Sequence, residues 1–189
     1  MKPLILSFAP PEKWRNPGQT RKLKGEEWQT LRKKILERDN YTCVCCGYKS
    51  EKYQIVDHIN GDSENNKNDN LQVVCQMCNL IKHSGQGCEI VGVVDLYGEA
   101  KYNQNVIIKI TRKMRDEGAS DNEIIRVLKL QNKKEFKMNI DYLKKLFGFI
   151  TSRKPNDEND MYGIWLKYYR REVRKKRDNM KQGLVQERL

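Results

Sequence analysis

Two Cys-x-x-Cys pairs, Cys43/Cys46 and Cys75/Cys78, constrain this chain more than any other feature. Thiolates suit zinc, and the two-residue spacing lets one tight turn supply two ligands, so both knuckles can converge on one tetrahedral ion. Gly47 gives the backbone the freedom needed for the sharp turn after the first knuckle. The alternative, four cysteines packed as small hydrophobes, leaves the paired spacing unexplained. Four cysteine ligands leave no open coordination position, so the expected zinc is structural. It would tie the loop before one strand to the start of the helix after the next, locking a unit too small to fold by burial alone. Cys45 competes with Cys46 by position, and Cys88 has no partner at ligand spacing.

Between the knuckles lies QIVDHIN, residues 54–60, a β-branched run interrupted by an acid and an imidazole. Such a pair destabilises a fold where it is buried without partners, so its presence calls for a chemical reason. Neighbours in a strand point to opposite faces. Asp57 and His58 are therefore expected to diverge, one of them toward the helix after the second knuckle. Asn79, directly after Cys78, falls in the first turn of that helix. An aspartate and an asparagine on facing elements offer oxygen ligands to a hard cation such as Mg²⁺, with positions left for water and phosphate. His58 beside that ion, with an ordinary pKa of about 6.5, suits general-base work on an attacking water.

The chain as a whole reads as α+β. EEWQTLRKKILERDN carries Trp28, Leu31, Ile35 and Leu36 at helical spacing, with acids in its first turn. YQIVDHI and LQVV read as short strands joined by the polar loop NGDSENNKND, and QMCNLIKH as a helix stopping near Ser84-Gly85. CEIVGVVDLY reads as a further strand. NVIIKITRKMRDEG and ASDNEIIRVLKL read as helices, the second opening on the capping box Ser120-x-x-Glu123, and NIDYLKKLFGFI as a third. The helix–Gly–capped helix cadence resembles the first half of a helix-turn-helix, although the spacer QNKKEFKMN is long for that motif. A plain helical bundle is the competing reading. The expected organisation is a basic arm over 1–24, a zinc-bearing module over 25–90, a mostly helical region over 91–154 for DNA recognition or dimerisation, and a linker with a basic helix over 155–189.

Charge narrows the partners. The net charge is +12, and it sits at the ends: residues 1–24 hold six Lys/Arg against one Glu, and residues 161–189 hold nine against three acids. Basic ends on a near-neutral body suit a clamp on a polyanion, although lysine-rich ends also simply keep a protein in solution. In IWLKYYRREVRKKR, Ile164, Trp165 and Tyr168 are expected to pack inward while Arg170, Arg171, Arg174, Lys175 and Arg177 follow DNA phosphates. No apolar run reaches the roughly 20 residues needed to span a bilayer. The opening MKPLILSFAPPEKW, cut by prolines, is not expected to be a signal peptide. A reducing cytoplasm is the expected compartment, where six cysteines favour metal ligation over disulfides.

Over residues 26–84, through W..LR..ILERDNYTC..CG, DHI and DNL..VC..CN..KH, the chain resembles the HNH, or ββα-metal, endonucleases. The three letters fall on His58, Asn70 and Asn79, the last an Asn where His is the usual letter. The resemblance implies that His58 is the general base and that Asp57 and Asn79 bind a divalent cation. Asn70 would brace the loop and orient the His58 backbone, and Lys82 would contact the scissile phosphate or its neighbour. An Asp-Asn pair favours Mg²⁺, with Mn²⁺ as an alternative. Lys82 and His83 can also be read as a basic helix end complementing the dipole. The expected function is a metal-dependent, sequence-specific double-strand DNA endonuclease of the type II restriction kind. A mobile-element or phage HNH enzyme is the alternative, and a non-catalytic zinc-containing DNA-binding module a further one. One such site cuts one strand at a time, so cleavage of both strands calls for a homodimer, with 105–150 as its candidate surface.

Overall fold

The computed structural model describes residues 1–8 and 25–155. The five arginines and lysines expected to track DNA, Arg170 to Arg177, and most of the basic arm lie outside the described residues.

Helix α1 (Gly25–Arg38) has Glu26 and Glu27 in its first turn and Arg38 in its last, matching its dipole at both ends. It stops at Asn40 and Tyr41, both with left-handed backbone, where the Tyr41 amide bonds back to the Leu36 carbonyl at 2.8 Å. Ile35 and Leu36 are buried with Val56, Leu71 and Val73, so α1 covers one face of a hairpin. That hairpin pairs β1 (Gln54–His58) antiparallel with β2 (Leu71–Cys75), with Asp57 opposite Gln72 and His58 opposite Leu71. Helix α2 (Gln76–Lys82) continues from β2 without a break and covers the other face. These elements give the α+β, helix–strand–strand–helix arrangement that the sequence leads one to expect.

The region beyond differs from expectation. CEIVGVVDLY begins in a π-helical turn (Gln86–Ile90) and becomes β3 only at Val94–Glu99, because Gly92 takes a positive φ and reverses the chain. Helices α3 (Gln104–Asp116) and α4 (Asp121–Leu128) form as expected, α4 with the complete Ser120/Glu123 capping box. The spacer QNKKEFKMN contains β4 (Gln131–Lys134), and NIDYLKKLFGFI makes only the short helix α5 (Ile140–Leu143) before β5 (Phe147–Ile150). Strands β4, β3 and β5 form an antiparallel sheet in that order. The region over 91–154 is therefore a sheet carrying α3 and α4. It is neither a helical bundle nor a helix-turn-helix, because α4 leads into a strand where a recognition helix would stand.

The apolar residues that suggested a dimer surface over 105–150 are absorbed within the chain. Ile107, Ile124, Leu128 and Phe149 fill one core, and Ile108, Leu143 and Ile150 join a second with the cysteines and Ile81 of α2. The two sheets thus meet across α2. At the contact Gly148 lies so close to α2 that a Cβ there would stand 2.6 Å from Ile81 Cδ1. The free edge of β5 is closed by Gln104, whose side-chain amide bonds both the Gly148 amide (2.7 Å) and its carbonyl (2.8 Å). Residues 1–8 are extended but not a loose arm. Leu4 and Leu6 are buried in the second core, and Ser7 is bonded to the end of α2 through its hydroxyl and its carbonyl.

Candidate functional site

The knuckles bring Cys43, Cys46, Cys75 and Cys78 together with all four sulfurs within 4.8 Å of one another, each buried. Four sulfurs bound tetrahedrally at about 2.3 Å stand about 3.8 Å apart; Cys46 and Cys75 Sγ are 3.6 Å apart. The hydrogen bonds from the Cys45, Cys46, Cys75 and Cys78 thiols hold the Cys43 thiol far below the usual range, while Cys75 and Cys78 are pushed up, first by their bonds to Cys43. Sulfurs this close ionise together only around a cation. The donor set therefore fits a zinc ion. Cys45 lies outside the cluster, its thiol pushed up to about 12 first by its bond to Cys43. Cys88 is likewise outside it, raised to about 12 by burial.

The alternation of β1 sends Asp57 and His58 to opposite faces. Asp57 turns toward α2, its side chain 4% exposed. Its Oδ2 accepts from Lys82 Nζ at 2.5 Å and from Gln72 Nε2 at 2.9 Å, and its Oδ1 lies 3.2 Å from His83 Nε2. Burial works to raise this carboxyl, but the His83 hydrogen bond and the Lys82 charge outweigh it and hold Asp57 below the ordinary carboxylate range. His58 turns toward α1, where its ring lies nearly parallel to Trp28 (16° between planes, centroids 6.3 Å apart). His58 Nε2 is 3.0 Å from Asn66 Oδ1. Asn66 Nδ2 faces the Glu64 carbonyl at 3.4 Å, so the amide oxygen is the atom on the imidazole.

The polar loop between the strands is held by Asn70. Its Nδ2 bonds Asn60 Oδ1 (3.0 Å) and the Asn65 carbonyl (2.8 Å), and its Oδ1 accepts from the Asn60 amide at 3.2 Å. Asn70 thus grips the chain just after His58 rather than His58 itself. Lys82 does not extend toward solvent as a phosphate contact would. Besides Asp57, its Nζ bonds the His58 carbonyl at 2.7 Å, tying the end of α2 to the end of β1. Asn79 stands on α2 one turn before His83, whose amide bonds the Asn79 carbonyl at 2.9 Å.

Residue type and spacing give His83 only a dipole role and Gln72 and Asn66 none. The four-residue step from Asn79 to His83, which puts both on one helix face, is a signal that could have found His83. Gln72 needed the strand register, and Asn66 the fold of the loop.

Asp57 Oδ1 and His83 Nε2 are hydrogen-bonded at 3.2 Å, close enough that both atoms could turn to one divalent cation once the shared proton is lost. Asp57 Oδ1 and His83 Nε2 could therefore hold a divalent cation while Lys82 keeps Oδ2.

Residues 43–85 match the family model for HNH endonuclease. The chain is also similar to the "Type 4 apparatus protein DotN" of Legionella pneumophila, 37% identical over 71 residues, a match covering 38% of this chain and 32% of that protein. The chain thus spans about a third of the length of that curated relative. No helix among the described residues is long and apolar enough to cross a membrane.

Proposed function

We propose that this chain is a divalent-metal-dependent endonuclease that hydrolyses phosphodiester bonds of double-stranded DNA. The observation that carries this reading is that the segment matching the HNH family holds a buried acid, Asp57, 3.2 Å from His83 just past α2, with His58 the next residue of β1. Asp57 Oδ1 and His83, with Asn79 on the same helix face, would hold the cation, Mg²⁺ or Mn²⁺. When bound, that ion supplies charge stabilisation to the phosphoryl oxygens and the leaving oxygen. His58 takes the proton of the attacking water, its ring held in place by Asn66. Asn70 holds the loop that carries Asn66, and Lys82 fixes the distance between β1 and α2.

Zinc in the four-cysteine cluster is structural in this reading. Sequence-specific cleavage of the type II restriction kind, by a homodimer that presents two sites to antiparallel strands, is the form proposed here. A mobile-element or phage enzyme would use the same site. A second reading has a specific observation behind it: Lys82 already neutralises Asp57, as it would in a zinc-bearing module that has no catalytic cation.

Supercoiled plasmid incubated with the full chain tests the first reading. Conversion to nicked or linear forms with Mg²⁺ or Mn²⁺, stopped by chelator, is expected. Plasmid and long phage DNA, which between them present nearly every short site, left intact under every divalent ion would remove the nuclease reading and leave the second.

A further inference from the structure

Helix α3 lies outside the segment that matches the HNH family, yet it touches the four-cysteine cluster. Asn105, Ile108 and Arg112 occupy positions i, i+3 and i+7, one face of the helix. Asn105 Nδ2 bonds the Cys45 carbonyl at 2.7 Å, and Ile108 is fully buried among the cysteines. Arg112 Nη2 donates to Cys75 Sγ at 3.1 Å. The same guanidinium lies over the Tyr48 ring, 3.7 Å from its centroid. Tyr48 is itself part of the first knuckle, its carbonyl accepting from the Cys43 amide at 2.9 Å. Arg112 is thus held by an aromatic face of one knuckle and reaches a ligand sulfur of the other.

We infer that Arg112 is an outer donor to the metal-binding cluster, through which α3 controls how firmly the ion is held and how reactive the Cys75 thiolate is. A zinc with four thiolates carries a net charge of about −2 on its first ring of ligands. A charge-assisted hydrogen bond from a guanidinium to one of those sulfurs offsets that charge and draws electron density from the sulfur. The sulfur then becomes a poorer target for the electrophiles that open such sites. The stacked Tyr48 ring fixes the guanidinium, so little ordering is left to do when the metal binds. This role rests on the four-cysteine reading and is independent of the nuclease reading.

The test is zinc transfer from the purified full chain to a chromophoric chelator, with thiol alkylation located by mass spectrometry. Arg112→Met, which keeps bulk and loses the charge and donors, should release zinc about ten- to a hundredfold faster, with Cys75 alkylated earlier than in wild type. Arg112→Lys should fall between. Arg115→Met is the control: Arg115 is on the same helix but bonds Asp121 and the Ile150 carbonyl. It should lower thermal stability without speeding release. Should Arg112→Met not fold, Tyr48→Leu removes the ring that holds the guanidinium and should also speed release. Wild-type release from Arg112→Met, or from Tyr48→Leu where that is the variant that folds, would overturn the role. So would equal acceleration by Arg115→Met, since the effect would then be one of packing. A chain that purifies without zinc would overturn both the cluster and this role, and leave the proposed chemistry at Asp57 standing.

Discussion

Asp57 divides its carboxylate between two sides, Oδ2 toward Lys82 and Gln72 and Oδ1 toward His83. Removing one member of a buried ion pair leaves the other charge uncompensated, at a cost of about 3–5 kcal/mol. Lys82 is 18% exposed, so Lys82→Met should lie at the low end, about 3 kcal/mol, in urea unfolding without added Mg²⁺. Mg²⁺ or Mn²⁺ should restore part of that loss by taking the place of the ammonium charge. A loss below about 1 kcal/mol would show that solvent already screens the pair. A second acid gives a pH dependence. Burial works to raise Asp95, but hydrogen bonds from Lys133 and Arg153 outweigh it and hold the group below the ordinary carboxylate range. A pKa depressed in the fold means stability that is complete above the unfolded value, about 3.9, and is lost as pH falls below it. Stability should therefore decline below about pH 4, and Asp95→Asn, which has no such proton to gain, should decline less steeply in acid unfolding. Parallel curves would contradict this. The knuckle cysteines, Asp57 and His58 were legible because spacing and residue type alone mark them. Asn66 and Gln72 were not, because each acquires its partner only when the loop folds or the strands take their register.

Among the elements, the contact between β5 and α2 links the extension to the candidate site. Gly148 has fully buried Ile81 against it, and α2 carries Asn79 and Lys82 and leads directly into His83. Gly148→Ala should destabilise by about 1–3 kcal/mol through overpacking, read as a shift in denaturant midpoint. It should also weaken divalent-ion binding, since the helix must move. An unchanged midpoint would mean that Ile81 rotates away at no cost. The same contact explains which elements the sequence conveyed. Helices α1, α3 and α4 announce themselves by local spacing and caps. Leu143, Leu146 and Ile150 also fit a helical period, and the deciding factor for a strand over Phe147–Ile150 is pairing with β3, some fifty residues away. That information is not local, so periodicity over NIDYLKKLFGFI pointed to a helix where only Ile140–Leu143 is one.

For the whole molecule, the four-cysteine cluster, the first eight residues and α3 meet in one core, so metal removal should have a global effect. Chelation at neutral pH should cost folding as well as zinc, seen as loss of the cooperative unfolding transition; a chain that keeps it would make the cluster a local ornament. The basic ends are proposed to supply the DNA affinity. Truncation after residue 160 should reduce affinity and flatten its dependence on salt, because several phosphate contacts are lost together. Unchanged affinity and salt slope would make residues 161–189 a device for solubility. If the β1–α2 site hydrolyses phosphodiesters with His58 as its base, His58→Ala should lose cleavage and little else. With plasmid and Mg²⁺ or Mn²⁺, the variant should bind DNA and zinc as wild type does and cut at least about a hundredfold more slowly, on the order of the contribution of a general base. Cleavage by His58→Ala at the wild-type rate would rule His58 out as the base.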